Sequence, residues 1–368
     1  MRRITYIHQR PDWPSFRWDS DVIASQLVAV RRRQGRLLGR MEALGFDLRA
    51  EATLQMLTQD ALKTSEIEGD VLDREQVRSS LARRLGLETA GIRPTDRRAE
   101  AIAAVVLDAT QNFAQPLTAD RLFFWHRSLF PGGGGRWNPI TVGAWRTEGH
   151  MIVASGPLDR EVVHFEAPAA GRVPAEMTRF LAWFEDGTDA TDLVLKAAIA
   201  HIWFVTIHPF DDGNGRIGRA IADLALARSE GTGQRFYSMS ARLRVERSAY
   251  YETLEATQKG GLNITPRLGW FLTMLDRALS DAESTLDATI RKSRFWESLS
   301  GLPINGRQHA MLSRLLEGFE GKLTTSKWAQ ITKCSQDTAL RDIADLMRRG
   351  VLAQDAAGGR STSYRLAR

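Results

Sequence analysis

Apolar positions recur at helical spacing through the first part of the chain. Between 20 and 44 they stand at Val22, Ile23, Leu27, Val28, Val30, Leu37, Leu38, Met41 and Leu44, and Gly45 offers a stop. A second helix is expected over about 51–68, ended by Gly69. The first 115 residues therefore read as a helical segment. PGGGGRWNP, 131–139, reads as a loop. AWRTEGHMIVASG, 144–156, sets strand formers between turn residues and reads as a short hairpin. Helical pattern resumes over 173–186, 191–207, 214–229, 242–260 and 264–285. The run LVLKAAIAHIWFVTI, ending at Ile207, is apolar on every side except for Lys196 and His201. A membrane span needs roughly 18 unbroken apolar residues, so this one predicts a buried core helix.

The chain's 368 residues exceed one ordinary core and suggest two or three domains. With 43% hydrophobic and 26% charged residues it reads as a soluble globular protein. MRRITYIHQRPDWP at the start has no apolar stretch of the kind a secretion signal carries. A single cysteine, Cys334, permits no internal disulfide. Both features lead us to expect a cytoplasmic protein with no membrane partner.

Net charge is +6, but residues 291–368 hold 14 Lys/Arg against 7 Asp/Glu, so the excess is C-terminal. Nucleic acid is therefore a candidate partner of that end alone. There, 286–303 reads as a linker running into GLPING. From about 307 the pattern is three helices and then DAAGGRSTSYRL, two short strands around Gly358-Gly359, which is the pattern of a winged helix-turn-helix. Leu323, Trp328, Ile331, Ala339, Ile343, Leu346, Met347, Val351 and Leu352 would form its small core, with Cys334 in the turn. Ser335, Gln336, Asp337 and Thr338 would open the recognition helix. Gln336, Thr338, Arg341 and Arg360 are candidate DNA contacts, and Arg348 and Arg349 would reach the backbone. The competing reading is a domain used for dimerisation or target docking.

The chemistry concentrates in HPFDDGNGRIGRA, His208 to Ala220, directly after the buried run. Gly213, Asn214 and Gly215 tolerate positive φ and predict a tight turn whose N–H groups face one concavity. Helical pattern follows, which places that nest at a helix N-terminus, where an anion is favoured. Arg216 and Arg219 share a helix face, and arginine forks suit phosphate oxygens. Asp212 can hold a hard cation such as Mg²⁺, and His208 can take a proton from a hydroxyl. Pro209 and Phe210 would set the loop's path. Together these parts suggest phosphoryl or nucleotidyl transfer.

The stretch from His208 to Arg219 fits HPFx[DE]GNGRxxR at every defined position, and so resembles the motif of the Fic/Doc family. LTADRLFFWHRSLF, 117–130, is similar to the start of that domain, and GAWRTEGHMIVASG to its flap. The likeness covers about 116–285 and implies a protein adenylyltransferase. Such enzymes move AMP from ATP to a Ser, Thr or Tyr hydroxyl of a target protein or of themselves. His208 would be the general base and Asp212 the Mg²⁺ ligand. Asp211, Gly213, Asn214, Gly215, Arg216 and Arg219 would bind ATP through its phosphates. Tyr251 and Gln258 would lie near adenine or ribose. The flap, Met151, Ile152, Val153, Ala154 and Ser155, would pair with an extended target segment. A homodimer is also implied.

KTSEIEGD, 63–70, taken alone reads as a capped helix end with solvated acids. Beside a Fic-like core, Thr64, Glu68 and Gly69 resemble the inhibitory motif [ST]xxxE[GN], in which Glu68 would occupy the Arg219 fork. The same glutamate implies a possible reverse reaction that removes AMP. Trp13 and Trp18 read as packing residues. The expected architecture is mainly α: a helical segment 1–115 carrying the brake, a Fic-like core 116–285, a linker 286–303 and a winged helix 304–368. The alternatives are a DNA-binding regulator with a nucleotide-sensing site, or an enzyme transferring another group.

Overall fold

Asp19, Asp73, Asp96, Thr118 and Asp192 each precede a helix and accept from a backbone N–H of its first turn, so helix starts are written locally in side-chain caps. The computed structural model describes residues 5–87, 95–133, 140–147, 152–155, 162–316, 318–319, 321–355 and 362–367. Met151 and Arg360 lie outside them. The chain divides into two compact units, Met1–Glu283 and Ser284–Arg368.

The first unit opens with α1 (Ser20–Glu42), α2 (Phe46–Ile67), α3 (Arg74–Arg84), α4 (Arg97–Gln111) and α5 (Ala119–Leu129). A two-stranded antiparallel hairpin follows, β1 (Ile152–Ser155) paired with β2 (Val162–Glu166), with a register shift between Val153 and Ala154. Then come α6 (Val173–Glu185), α7 (Leu193–Ile207), α8 (Asn214–Glu230), α9 (Met239–Val245), α10 (Arg247–Gln258) and α11 (Thr265–Ser298). The expected second helix starts earlier than 51, at Phe46. The expected hairpin within 144–156 supplies one strand, and the partner comes later in the chain. The expected helix 242–260 is two helices that meet at Glu246, where the backbone leaves helical geometry (φ −105, ψ 36) and the carboxylate takes ion pairs from Arg242 and Arg277.

Helix α7 is the core of the unit, buried along nearly its whole length. Lys196 and His201, which interrupt its apolar run, both find partners. Lys196 Nζ donates to the Asp186 carbonyl at 3.2 Å and sits over the Trp183 ring. His201 lies between the Tyr250 hydroxyl and Arg267, each 3.1 Å from a ring nitrogen. Helix α8 packs on α7 so closely that a Cβ on Gly218 would come 2.8 Å from Val205 Cγ1. The N-terminal helices are not a separate body: α2 packs on α3, α4 and α9 and also touches α8, and α4 packs on α8. Trp13 is buried and donates to Glu176 at 2.9 Å, a packing role, whereas Trp18 is only half-buried.

The last part of α11 contributes Phe295 to the second unit, so residues 286–298 of the expected linker are helical because they carry core side chains. The unit continues with α12 (Gly306–Leu316), α13 (Thr325–Thr332), α14 (Gln336–Arg348) and an antiparallel ribbon, β3 (Leu352–Gln354) with β4 (Tyr364–Leu366). Trp328, Ile343, Leu346 and Val351 are fully buried at its centre. Ser335 caps α14 by accepting from the Thr338 N–H. Gln336 and Arg341 are exposed on α14 and Thr338 is half-buried. Arg348 and Arg349 both pair with Asp345, at 3.0 and 2.8 Å, and Arg348 remains largely exposed.

Candidate active site

Helix α7 ends at His208, which takes a left-handed conformation (φ 53, ψ 59) uncommon for a residue with a Cβ. That conformation turns the chain out of the helix into the loop 209–213. Phe210 is fully buried and stacks on His126, with ring centroids 4.2 Å apart. His126 Nδ1 accepts from the Gly143 N–H at 3.0 Å, which leaves Nε2–H to donate to the Asp212 carbonyl at 3.2 Å. Asn214 clamps the loop: its side-chain oxygen accepts from Phe210 N–H at 3.0 Å and its amide donates to the Phe210 carbonyl at 2.7 Å. Asp211 accepts from the Thr141 N–H at 2.8 Å. The side chains of Asn214 and Asp211 thus also tie backbone at and beside the loop.

Gly213 is left-handed (φ 79), and a Cβ there would meet the Phe130 ring at 2.9 Å. It starts α8, so the turn does sit at a helix N-terminus. His208 is enclosed enough that burial pushes its pKa down to about 4, with the Val205 carbonyl working in the opposite direction. Its Nδ1 lies 3.3 Å from that carbonyl, which places the ring proton there and leaves Nε2 as the free base.

The residues expected to act as a brake arrive from the end of α2. Its end is a left-handed glycine cap: Gly69 has φ 94, its N–H bonds the Glu66 carbonyl, and the Asp70 N–H bonds the Ser65 carbonyl. This cap presents the residues on either side of Gly69 to α8. Glu68 Oε1 is 2.7 Å from Arg219 Nη2. Thr64 accepts from Arg219 twice, through Oγ1 at 2.7 Å and its carbonyl at 2.9 Å. Arg219 is 3% exposed. Burial is the largest influence and works against its charge, but Glu68, Tyr250 and Tyr251 together outweigh it and raise the pKa. Gly215 makes room for this contact, since a Cβ there would collide with the Glu68 carboxylate and come 3.2 Å from Arg219 Nη1.

Asp70, which the sequence did not single out, pairs with Arg216 at 3.2 Å. Asp212 is 3.8 Å from the same arginine, whose guanidinium also lies over Phe130. Both arginines on the α8 face are therefore held by carboxylates of one short turn. The spacing Glu-Gly-Asp, with a left-handed glycine between two acids, was the available signal. Arg146 was also missed, although it bonds the His208 carbonyl at 2.8 Å.

Glu68, His208, Gly215, Tyr251 and Gln258 line one cavity of about 510 Å³. Tyr251 donates to the Ile67 carbonyl at 3.4 Å and Gln258 to Thr206 at 3.4 Å, so both expected nucleoside neighbours border it. The cavity also takes in His164 of β2 and Glu255 of α10, which are 2.7 Å apart. Among the described residues no three His, Cys, Asp or Glu side chains gather to hold a metal. Asp212 offers one largely exposed carboxylate, which fits a Mg²⁺ whose other ligands come with a nucleotide's phosphates.

Comparison with known proteins bears on the whole arrangement. Residues 116–226 match the Fic/DOC family, and residues 6–87 match a domain of unknown function (DUF4172). The chain is 27% identical over 176 residues to protein adenylyltransferase fic-1 of Caenorhabditis briggsae, covering 45% of this chain and 31% of that protein. It is 33% identical over 119 residues to a uridine 5'-monophosphate transferase of Xanthomonas campestris pv. campestris, covering 31% of this chain and 21% of that one. The chain thus spans about a third or less of these two relatives. A crystal structure of a Fic family protein from Desulfovibrio desulfuricans G20 superposes with a TM-score of 0.53 at 22% identity, over 94% of this chain and 95% of that chain, so the fold is shared. With the full motif held between α7 and α8 inside the matched span, this chain carries a Fic/DOC family domain.

Proposed function

We propose that the chain is a nucleotidyltransferase that moves AMP from ATP to a Ser, Thr or Tyr hydroxyl of a protein, its own included, and that Glu68 restrains it. The observation that carries this reading is the clearing beside Gly215, where the Glu68 carboxylate rests on Arg219. An anion already stands at the helix N-terminus, in a space that only a glycine leaves open.

In the proposed reaction the target hydroxyl attacks the α-phosphorus, His208 Nε2 takes its proton, the α–β phosphoanhydride breaks, and pyrophosphate leaves. A base that is neutral at pH 7 suits that task. The N–H groups at the start of α8 would face the charge that develops on the phosphate, Arg216 the β-phosphate and Arg219 the γ-phosphate. Mg²⁺ bound at Asp212 would neutralise phosphate charge. Strand β1 pairs with β2 alone among the described residues, so its outer edge suits an extended target segment. Two acids form the brake in this reading, Glu68 on Arg219 and Asp70 on Arg216.

The test is incubation of the wild type, Glu68→Gly and Glu68→Gly/His208→Ala with Mg²⁺ and labelled ATP, followed by intact mass. One added AMP in Glu68→Gly alone is the expected result; no transfer in any of them counts against the reading. A parallel arm with UTP is warranted by the likeness to a uridine monophosphate transferase. For the second unit we propose a winged helix that docks on duplex DNA through Gln336, Thr338 and Arg341. Their position on the first turns of α14 supports this.

A further inference from the structure

Arg146 is among the most deeply buried charged side chains of the molecule, 1% exposed. Among the described residues its hydrogen-bond partners are all backbone carbonyls, and Nη1 has none. Nε donates to His208 at 2.8 Å and Nη2 to Pro168. Its own N–H bonds the Pro209 carbonyl at 2.9 Å. Burying a guanidinium against neutral oxygens is expensive, because no carboxylate pairs with it directly among the described residues to repay its desolvation. Burial accordingly lowers the pKa of Arg146, with Asp211 nearby acting the other way. An apolar residue would fill the same place at smaller cost, so the planar fork itself calls for an explanation.

The three carbonyls supply one. Two belong to His208 and Pro209, at the turn where the base leaves α7 in a left-handed conformation. Such a conformation is unfavourable for a residue with a Cβ. The third, Pro168, follows β2, while Arg146 itself precedes β1. One side chain therefore joins the two roots of the flap to the backbone of the base. On the far side of the same loop, His126 and Asn214 hold residues 210–212, so the stretch from 208 to 212 is tied at both ends.

We propose that Arg146 is the positioning residue of the base: it holds His208 in its left-handed conformation and ties it to the root of the flap, so that the imidazole and the strand that receives the target keep one fixed separation. This rests on the transferase reading given above. A misplacement of about 1 Å at a reacting group lowers turnover by roughly 100-fold, whereas nucleotide contacts made by α8 and α10 stay intact.

The experiment uses the full chain carrying Glu68→Gly, with Arg146→Gln and Arg146→Lys added separately. Three quantities are read: turnover of AMP transfer, ATP affinity by titration, and the rate at which diethyl pyrocarbonate modifies His208, followed by peptide mass. Arg146→Gln is expected to lower turnover by about 30- to 100-fold with ATP affinity within about threefold. The lysine, which keeps the charge and one donor, is expected to fall between the two. His208 is expected to react at least several-fold faster in Arg146→Gln, since the loop is no longer pinned. That last reading needs no transfer activity, so it stands even where the transferase reading fails. An unchanged modification rate overturns the proposal, as does an equal loss of turnover and ATP affinity. Should the glutamine chain fail to fold, the lysine chain decides by the same three readings.

Discussion

Replacing Glu68 by glutamine keeps the shape of the side chain and removes its charge. In the resting site Glu68 Oε1 stands 2.7 Å from Arg219 Nη2, with the arginine side chain 4% exposed and the glutamate 30%. Removing one member of a fully buried pair costs about 3–5 kcal/mol, because a charge is left uncompensated. Two features reduce that figure here. The glutamate reaches solvent, and Arg219 keeps its bonds to the Thr64 hydroxyl and carbonyl at 2.7 and 2.9 Å. A loss of about 1–2 kcal/mol is then expected, or about 2–8 °C in Tm. Nucleotide binding should move the opposite way. A γ-phosphate no longer has to displace the carboxylate, so the same 1–2 kcal/mol becomes about 5- to 30-fold tighter binding. The assay is a thermal melt with and without Mg²⁺–ATP, beside a direct titration. Glu68→Gln should melt lower than the wild type when empty and gain more from ATP. A lower Tm with unchanged ATP affinity refutes the reasoning and leaves Glu68 as a packing residue.

Asp70→Asn should also tighten ATP binding, but only about two- to threefold, since its pair with Arg216 is partly exposed; a titration checks this, and it should add to the effect of Glu68→Gln. Gly218→Ala would push a methyl against Val205 and should cost about 1–3 kcal/mol in urea unfolding. His208 and His8 both have pKa values pushed from 6.5 to about 4, chiefly by burial. The unfolded chain therefore binds more protons than the folded one below about pH 6.5, and stability should fall as pH drops from there toward 4; unfolding at pH 7 and pH 5 tests the sign. For the same reason transfer should hold its rate down to about pH 5, and a rate that halves near pH 6.5 would show an exposed base. Full-chain affinity for duplex DNA should fall with rising salt and weaken on Arg341→Ala, and salt-independent binding or none removes the DNA proposal.

Much of the site could be read along the chain because its parts are neighbours there. A helix end, a left-handed glycine and two arginines on one face occupy one short stretch, and local rules decide each: φ at Gly213, an open N-terminus, helical spacing from Arg216 to Arg219. The glycine cap after α2 was equally local, as was the course of α7, apolar on all sides and therefore buried. Pattern placed α14 and the core of the second unit for the same reason. What the sequence alone could not decide were the meetings of distant segments. It marked Glu68 only through likeness to a motif, and said nothing of Asp70 reaching Arg216 across the fold. It gave no hint that Asn214 bonds the backbone of Phe210 or Asp211 that of Thr141, because only the fold decides which backbone groups are buried beside a short polar side chain. Arg146 was invisible for a related reason. Its partners are carbonyls, which every residue carries, so only the tertiary structure, by bringing 146, 168 and 208 together, decided what that arginine touches.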